Sequence, residues 1–118
     1  GTDSIVRDGS ENIASGEYSA VGGGQRNDAG AIGDAYNVIG GGDSNVCYGG
    51  STNTVSGGNT NGIVPIDDAD ADVPDFNTIS GGWTNTIAGG PYSVITGGGG
   101  EFNGAADGDG NIIEGCDR

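Results

Sequence analysis

Apolar positions in this chain recur with a period of about eight residues, each following an Asn or Ser by two places and usually followed two places later by a Gly pair. The unit N-x-[V/I]-x-G-G is cleanest in NTVSGGNT from Asn53, NTISGGWT from Asn77, NTIAGGPY from Asn85 and SVITGG from Ser93. A period this short cannot close a globular core, so each unit buries its apolar residue only by stacking on its neighbours. Two inward series emerge. The larger runs Val6, Val21, Ile39, Val55, Ile79, Ile95 and Ile113; the smaller alternates with it as Ala14, Ala29, Cys47, Ile63, Ile87 and Ala105. The pattern therefore predicts an all-β, parallel, two-sided β-solenoid, with two short strands and two turns in a coil of about 16 residues. Roughly seven such coils at ~4.8 Å each give a rod ~34 Å long.

The polar positions predict the corners. Asn12, Asn27, Asn45, Asn61, Asn85 and Asn103 fall in one column, and Ser4, Ser19, Asn37, Asn53, Asn77, Ser93 and Asn111 in the other. Stacked side-chain amides there can bond along the axis and satisfy turn backbone. Tyr18, Tyr36, Phe76 and Tyr92 sit just before the second column, some of them spaced so that successive rings can stack. Spacing breaks most after Asn61, where Asn77 follows sixteen residues later. One octet plus an acidic excursion over residues 65–76 accounts for it, because Pro65 and Pro74 cannot donate ladder hydrogen bonds. The chain is otherwise one solenoid domain over residues 1–118. Its end coils would expose unpaired strand edges, so the pattern predicts continuation into a longer fibre or end-to-end stacking of copies.

Composition sharpens this picture. The 28 glycines keep their place in the octet, not the three-residue period of collagen, so they are turn chemistry. Seventeen acidic residues against three arginines give a net charge of −14, which disfavours nucleic acid and anionic membranes and favours cations. No apolar run approaches the ~20 residues of a bilayer span, so membrane insertion is not expected. With neither His nor Lys, the usual activators of Ser or Cys nucleophiles and Schiff-base chemistry are missing, and a non-enzymatic role is expected.

The densest oxygen-ligand chemistry lies in the excursion, where Asp67, Asp68, Asp70, Asp72 and Asp75 would suit Ca²⁺. Asp68-x-Asp70-x-Asp72 copies the opening of an EF-hand loop, but Val73 stands where that loop needs Gly and Ile79 where it needs a bidentate Glu. The alternative is a solvated acidic loop. Cys47 is an inward member of the small series, and Cys116 lies in a turn about four coils away, ~19 Å along the axis, too far to bridge. On the outer side of the larger series, Ala20, Val38, Thr54, Thr78, Val94 and Ile112 form a flat, weakly polar face, the kind of strip that marks a contact surface.

The units YSAVGGG, YNVIGGG and YSVITGG, alternating with Asn-led units, resemble the head repeats of trimeric autotransporter adhesins and related fibre proteins. That resemblance implies a parallel β-roll, packed as a trimer and displayed outside the cell or on its surface, attaching to a host or matrix. The acidic excursion and the frequent third Gly depart from its pattern. NTVSGGNTN and NTISGGWTNTIAGG resemble the repeats of grass ice-recrystallisation-inhibition proteins, which implies an alternative: ice contact through a flat face of outward Thr, Ser and Val. On the flat face only Thr54, Thr78 and Thr96 carry hydroxyl and methyl together. The expected function is thus an extracellular structural subunit that self-associates through its open ends and flat face, with ice binding as the alternative.

Overall fold

The computed structural model describes residues 2–31, 34–65, 75–99, 102–104 and 112–113. The chain is a β-solenoid of two parallel sheets. One sheet stacks β1 (Ile5–Val6), β3 (Ala20–Val21), β5 (Val38–Ile39), β7 (Thr54–Val55), β9 (Thr78–Ile79), β11 (Val94–Ile95) and β13 (Ile112–Ile113). The other stacks β2 (Ile13–Ala14), β4 (Asp28–Ala29), β6 (Val46–Cys47), β8 (Gly62–Val64), β10 (Thr86–Ala88) and β12 (Phe102–Gly104). Successive strands along the chain alternate between sheets, so each coil contributes one strand to each face, as the two apolar series require.

Register follows the sequence columns. Val21, Ile39, Val55, Ile79 and Ile95 are mutual partners in one sheet, as are Ala29, Cys47, Ile63 and Ile87 in the other. All nine are fully buried and form one continuous core. Burying an Ile or Val side chain contributes about 1.5–3 kcal/mol, so the large series supplies most of the apolar driving force. Val6 belongs to the same column yet is 45% exposed, because β1 is the edge of its sheet and only β3 covers it.

Corners are built from backbone that ordinary residues avoid. Eleven non-glycine residues of the described chain have φ between +52° and +63°, and each immediately precedes a corner Asn or Ser. Thr52, Thr60 and Thr84 are among them, although a β-branched residue in the left-handed region is strained. The amide ladders hold these corners. In one, Asn27, Asn45, Asn61 and Asn85 are fully buried, and each backbone N–H from Asn27 onward donates to the Oδ1 of the Asn one coil earlier, beginning at Asn12, over 2.9–3.1 Å. In the other, Asn53 donates to Asn37, Asn77 to Asn53 and Ser93 to Asn77 in the same way. Buried amides are thus satisfied by repetition.

Glycine is obligatory where the coils come closest. At Gly58, with φ +93°, an added Cβ would lie 2.2 Å from the Gly82 carbonyl oxygen and 2.7 Å from Asn61 Nδ2.

One expectation fails. Asn103 was expected beside Asn85 and Ala105 beside Ile87, but β12 pairs Asn103 with Ile87. The turn after β11 is not lengthened: Gly97 and Gly98 adopt the positive φ of earlier corners, and Gly99 bridges Trp83 in the usual corner column. β12 therefore starts eight residues after β11, and the ten-residue spacing falls between β12 and β13. A shift of two residues preserves the alternation of faces, so pairing survives it. Ala105 itself lies outside the described residues, as do Asn111, Cys116 and most of the excursion.

Candidate functional site

The flat face is a property of the seven-stranded sheet. Ile5, Ala20, Val38, Thr54, Thr78, Val94 and Ile112 are partners in unbroken parallel register, and the side chains of the first six repeat on one side at the inter-strand spacing. Ala20, Thr54, Thr78 and Val94 are half-buried, while Val38 is exposed. Ile112 is placed by backbone register alone. The sequence reading missed Ile5, which extends the strip and is 60% exposed. Ile5 precedes the inward Val6 by one residue, as Ala20 precedes Val21 and Thr54 precedes Val55, so the same offset would have found it. Around Ile5 a shallow groove of about 410 Å³ is lined by Arg7, Ala20, Gly22, Val38 and Gly40.

Asp67, Asp68, Asp70 and Asp72 lie outside the described residues. Asp75 is half-buried, and its Oδ1 accepts the Ser51 backbone N–H at 2.5 Å. One oxygen of the expected ligand set therefore already braces a turn. Among the described residues no three carboxylate or cysteine side chains come together around a common point.

The second sheet carries a polar pair that the sequence did not flag. Tyr48 donates its hydroxyl proton to Asp28 Oδ2 on the neighbouring coil, and burial, followed by this bond to a carboxylate, pushes the phenol up to about 12. Asp28 and Tyr48 are twenty residues apart, and only the coil register brings them together. On the outer corner Arg26 clasps Asp43 through two nitrogens, with contacts of 2.8, 2.9 and 3.2 Å, which holds that carboxyl below its usual range. Cys47 is buried and free, and burial raises its thiol to about 12. It behaves as the small hydrophobe its column predicts.

The rings expected to stack do so in two pairs. Tyr18 and Tyr36 have centroids 5.2 Å apart and planes 12° from parallel; Phe76 and Tyr92 are 5.3 Å apart at 5°. Trp83, 65% exposed, stands on the other corner column.

These features define a class: an acidic, two-sided parallel β-solenoid with buried amide ladders and one smooth face. Comparison with family models, with characterised proteins and with solved structures finds no match for the chain.

Proposed function

We propose that the protein is a non-enzymatic structural subunit, or a segment of one, that acts outside the cell or at its surface and associates with copies of itself to form a fibre or adhesive assembly. The observation carrying this reading is the register-aligned strip Ile5, Ala20, Val38, Thr54, Thr78 and Val94, small or apolar at every rung. A strip without long or charged side chains lets a second copy approach closely along its whole length. The uncovered Val6 and the edge of β1 offer a second mode, addition of a strand in the same register. Charge opposes both modes, since copies of net charge −14 repel, so association should strengthen as salt or a divalent cation screens them. Calcium bound by the acidic excursion would serve the same end.

Ice contact is the second reading, favoured by the direct register of Thr54 on Thr78, with Ser56 and Ser80 two places on. The two readings separate on one double variant, Thr54→Tyr with Thr78→Tyr. Analytical ultracentrifugation and negative-stain microscopy in added salt should show filaments or discrete oligomers for the parent chain and their loss in the variant, with no ice-shaping activity in either. Ice shaping by the parent that the variant loses, together with dispersed monomers throughout, would replace the structural reading by the second.

A further inference from the structure

The ring ladder is missing one rung, and the gap it leaves has the chemistry of a binding slot. Tyr18, Tyr36, Thr52, Phe76 and Tyr92 occupy one corner column, fixed by a run of backbone bonds: Tyr36 N–H to Glu17 O, Thr52 N–H to Ala35 O, Phe76 N–H to Ser51 O and Tyr92 N–H to Asp75 O. All five have the same left-handed backbone, with φ from +52° to +63°, so their side chains leave the coil in the same direction. Rings one coil apart stack nearly parallel at 5.2–5.3 Å. Tyr36 and Phe76 are two coils apart, so about 10 Å separates their positions. Among the described residues only Thr52 stands between them, and its side chain ends well short of a ring. The result is a notch with an aromatic wall on either side and the Thr52 hydroxyl and methyl as its floor. Because the walls are two steps of a stack, the notch admits one more flat group at ordinary stacking distance from each.

Charge selects which flat group. Each wall is accompanied by a carboxylate held on the turn that carries Thr52. Asp34, two residues before Tyr36, accepts the Gly49 N–H at 2.8 Å, and Asp75, directly before Phe76, accepts the Ser51 N–H. Both bonds pin the Gly49–Ser51 backbone from opposite sides, so two anions are fixed on the coils flanking the notch. A planar cation gains from ring faces and carboxylates together. Among amino-acid side chains the guanidinium is the one that is both flat and permanently charged, whereas an ammonium is compact and strongly hydrated. The walls are open at their edges, with Tyr36 55% and Phe76 51% exposed. Such a notch suits a side chain presented by another surface better than a small molecule needing enclosure.

We propose that the Thr52 notch is an arginine-recognition site, in which Tyr36 and Phe76 sandwich the guanidinium of a protein partner while Asp34 and Asp75 supply the counter-charge. This site lies on a corner of the coil and is independent of the flat face.

The test is a titration with acetyl-Gly-Arg-Gly-amide and its lysine counterpart, followed by amide and ring NMR shifts. The arginine peptide should shift Ser51, Thr52 and the rings of Tyr36 and Phe76, with the lysine peptide binding at least about fivefold more weakly, and raising the salt should weaken both. Thr52→Tyr fills the missing rung and should reduce arginine-peptide binding more than tenfold while leaving the fold and thermal midpoint intact. Phe76→Leu should weaken it about fivefold. Tyr92→Leu, at the far end of the ladder, should leave it unchanged. Equal binding of the two peptides, or undiminished binding by Thr52→Tyr, would overturn the proposal in favour of diffuse attraction to an acidic surface. Should Thr52→Tyr disturb the fold, the contrast between Phe76→Leu and Tyr92→Leu decides the question alone.

Discussion

Replacing Asn61 by Ala removes the middle of the amide ladder without touching the apolar core. The Asn61 side chain is fully buried and makes five hydrogen bonds. Its Nδ2 donates to Gly57 O at 2.9 Å, Gly82 O at 3.0 Å and Asn45 Oδ1 at 3.2 Å, and its Oδ1 accepts the Asn85 N–H and Nδ2, both at 3.0 Å. Some partners have alternatives: Gly82 O still accepts the Asn59 N–H, and Asn85 Nδ2 still reaches Gly81 O and Gly98 O. The Asn85 N–H and Gly57 O lose their bonds to Asn61, at about 1–3 kcal/mol for a fully buried group and less at Gly57, which is half-buried. The expected destabilisation is about 3 kcal/mol, read as a lower urea midpoint at unchanged slope. Asn61→Asp keeps the shape and the acceptor oxygen but sets a buried carboxylate against Gly57 O, Gly82 O and Asn45 Oδ1. Its folded pKa must lie above the unfolded value, so this variant should be least stable at neutral pH and recover as pH falls toward 4. A loss below about 1 kcal/mol for Asn61→Ala, with no pH dependence in Asn61→Asp, would refute the claim that the ladder is a principal source of stability.

Gly58→Ala and Gly97→Ala share a positive φ, +93° and +130°, but a Cβ meets the Gly82 carbonyl at 2.2 Å in the first and nothing within 4 Å in the second. Thermal melts should therefore show the first unfolding the coil or costing several-fold more than the second, which carries only backbone strain of about 1–2 kcal/mol. Alkaline stability should fall in two stages, because Cys47 is raised from 9.0 to about 12 and Tyr48 from 10.0 to about 12. Both groups stabilise fully below their unfolded values and lose that contribution as pH rises toward 12. In urea titrations Cys47→Ala should flatten the decline that begins near pH 9 and Tyr48→Phe the part from pH 10; a decline unchanged in both variants would contradict this. Sedimentation and ice-shaping assays on the Thr54→Tyr, Thr78→Tyr chain discriminate the two functional readings as described above.

Most of this architecture could be read from sequence because the period does two jobs at once. An Asn placed two residues before an apolar residue specifies both a corner and an inward side chain, and repetition fixes the register of each coil on the next. Ile39 and Cys47 were assignable to opposite faces for that reason. Reading failed where the repeat is compatible with two alignments: the ten residues from Ser93 to Asn103 can be absorbed before or after β12, and the amide column favoured the wrong choice. Corner geometry decided it, since Gly97 and Gly98 reproduce the earlier turn. Contacts between positions that do not repeat, such as Tyr48 with Asp28 or Asp34 with Gly49, left no periodic trace. They need the stacking register before they can be inferred.

The same logic explains why function on such a scaffold is sought in broken columns. Every position of an ideal coil is repeated, so a column of identical residues satisfies itself along the axis, as the asparagines do, and has no bond left for a partner. A substitution within a column leaves its neighbours one contact short. Thr52 interrupts a ladder whose other members still stack, and Tyr36 and Phe76 each present a ring face that Tyr18 and Tyr92 cover only on the far side. Those two rings hold contacts the described coils do not complete, and in a protein of net charge −14 the groups that complete them best are cations.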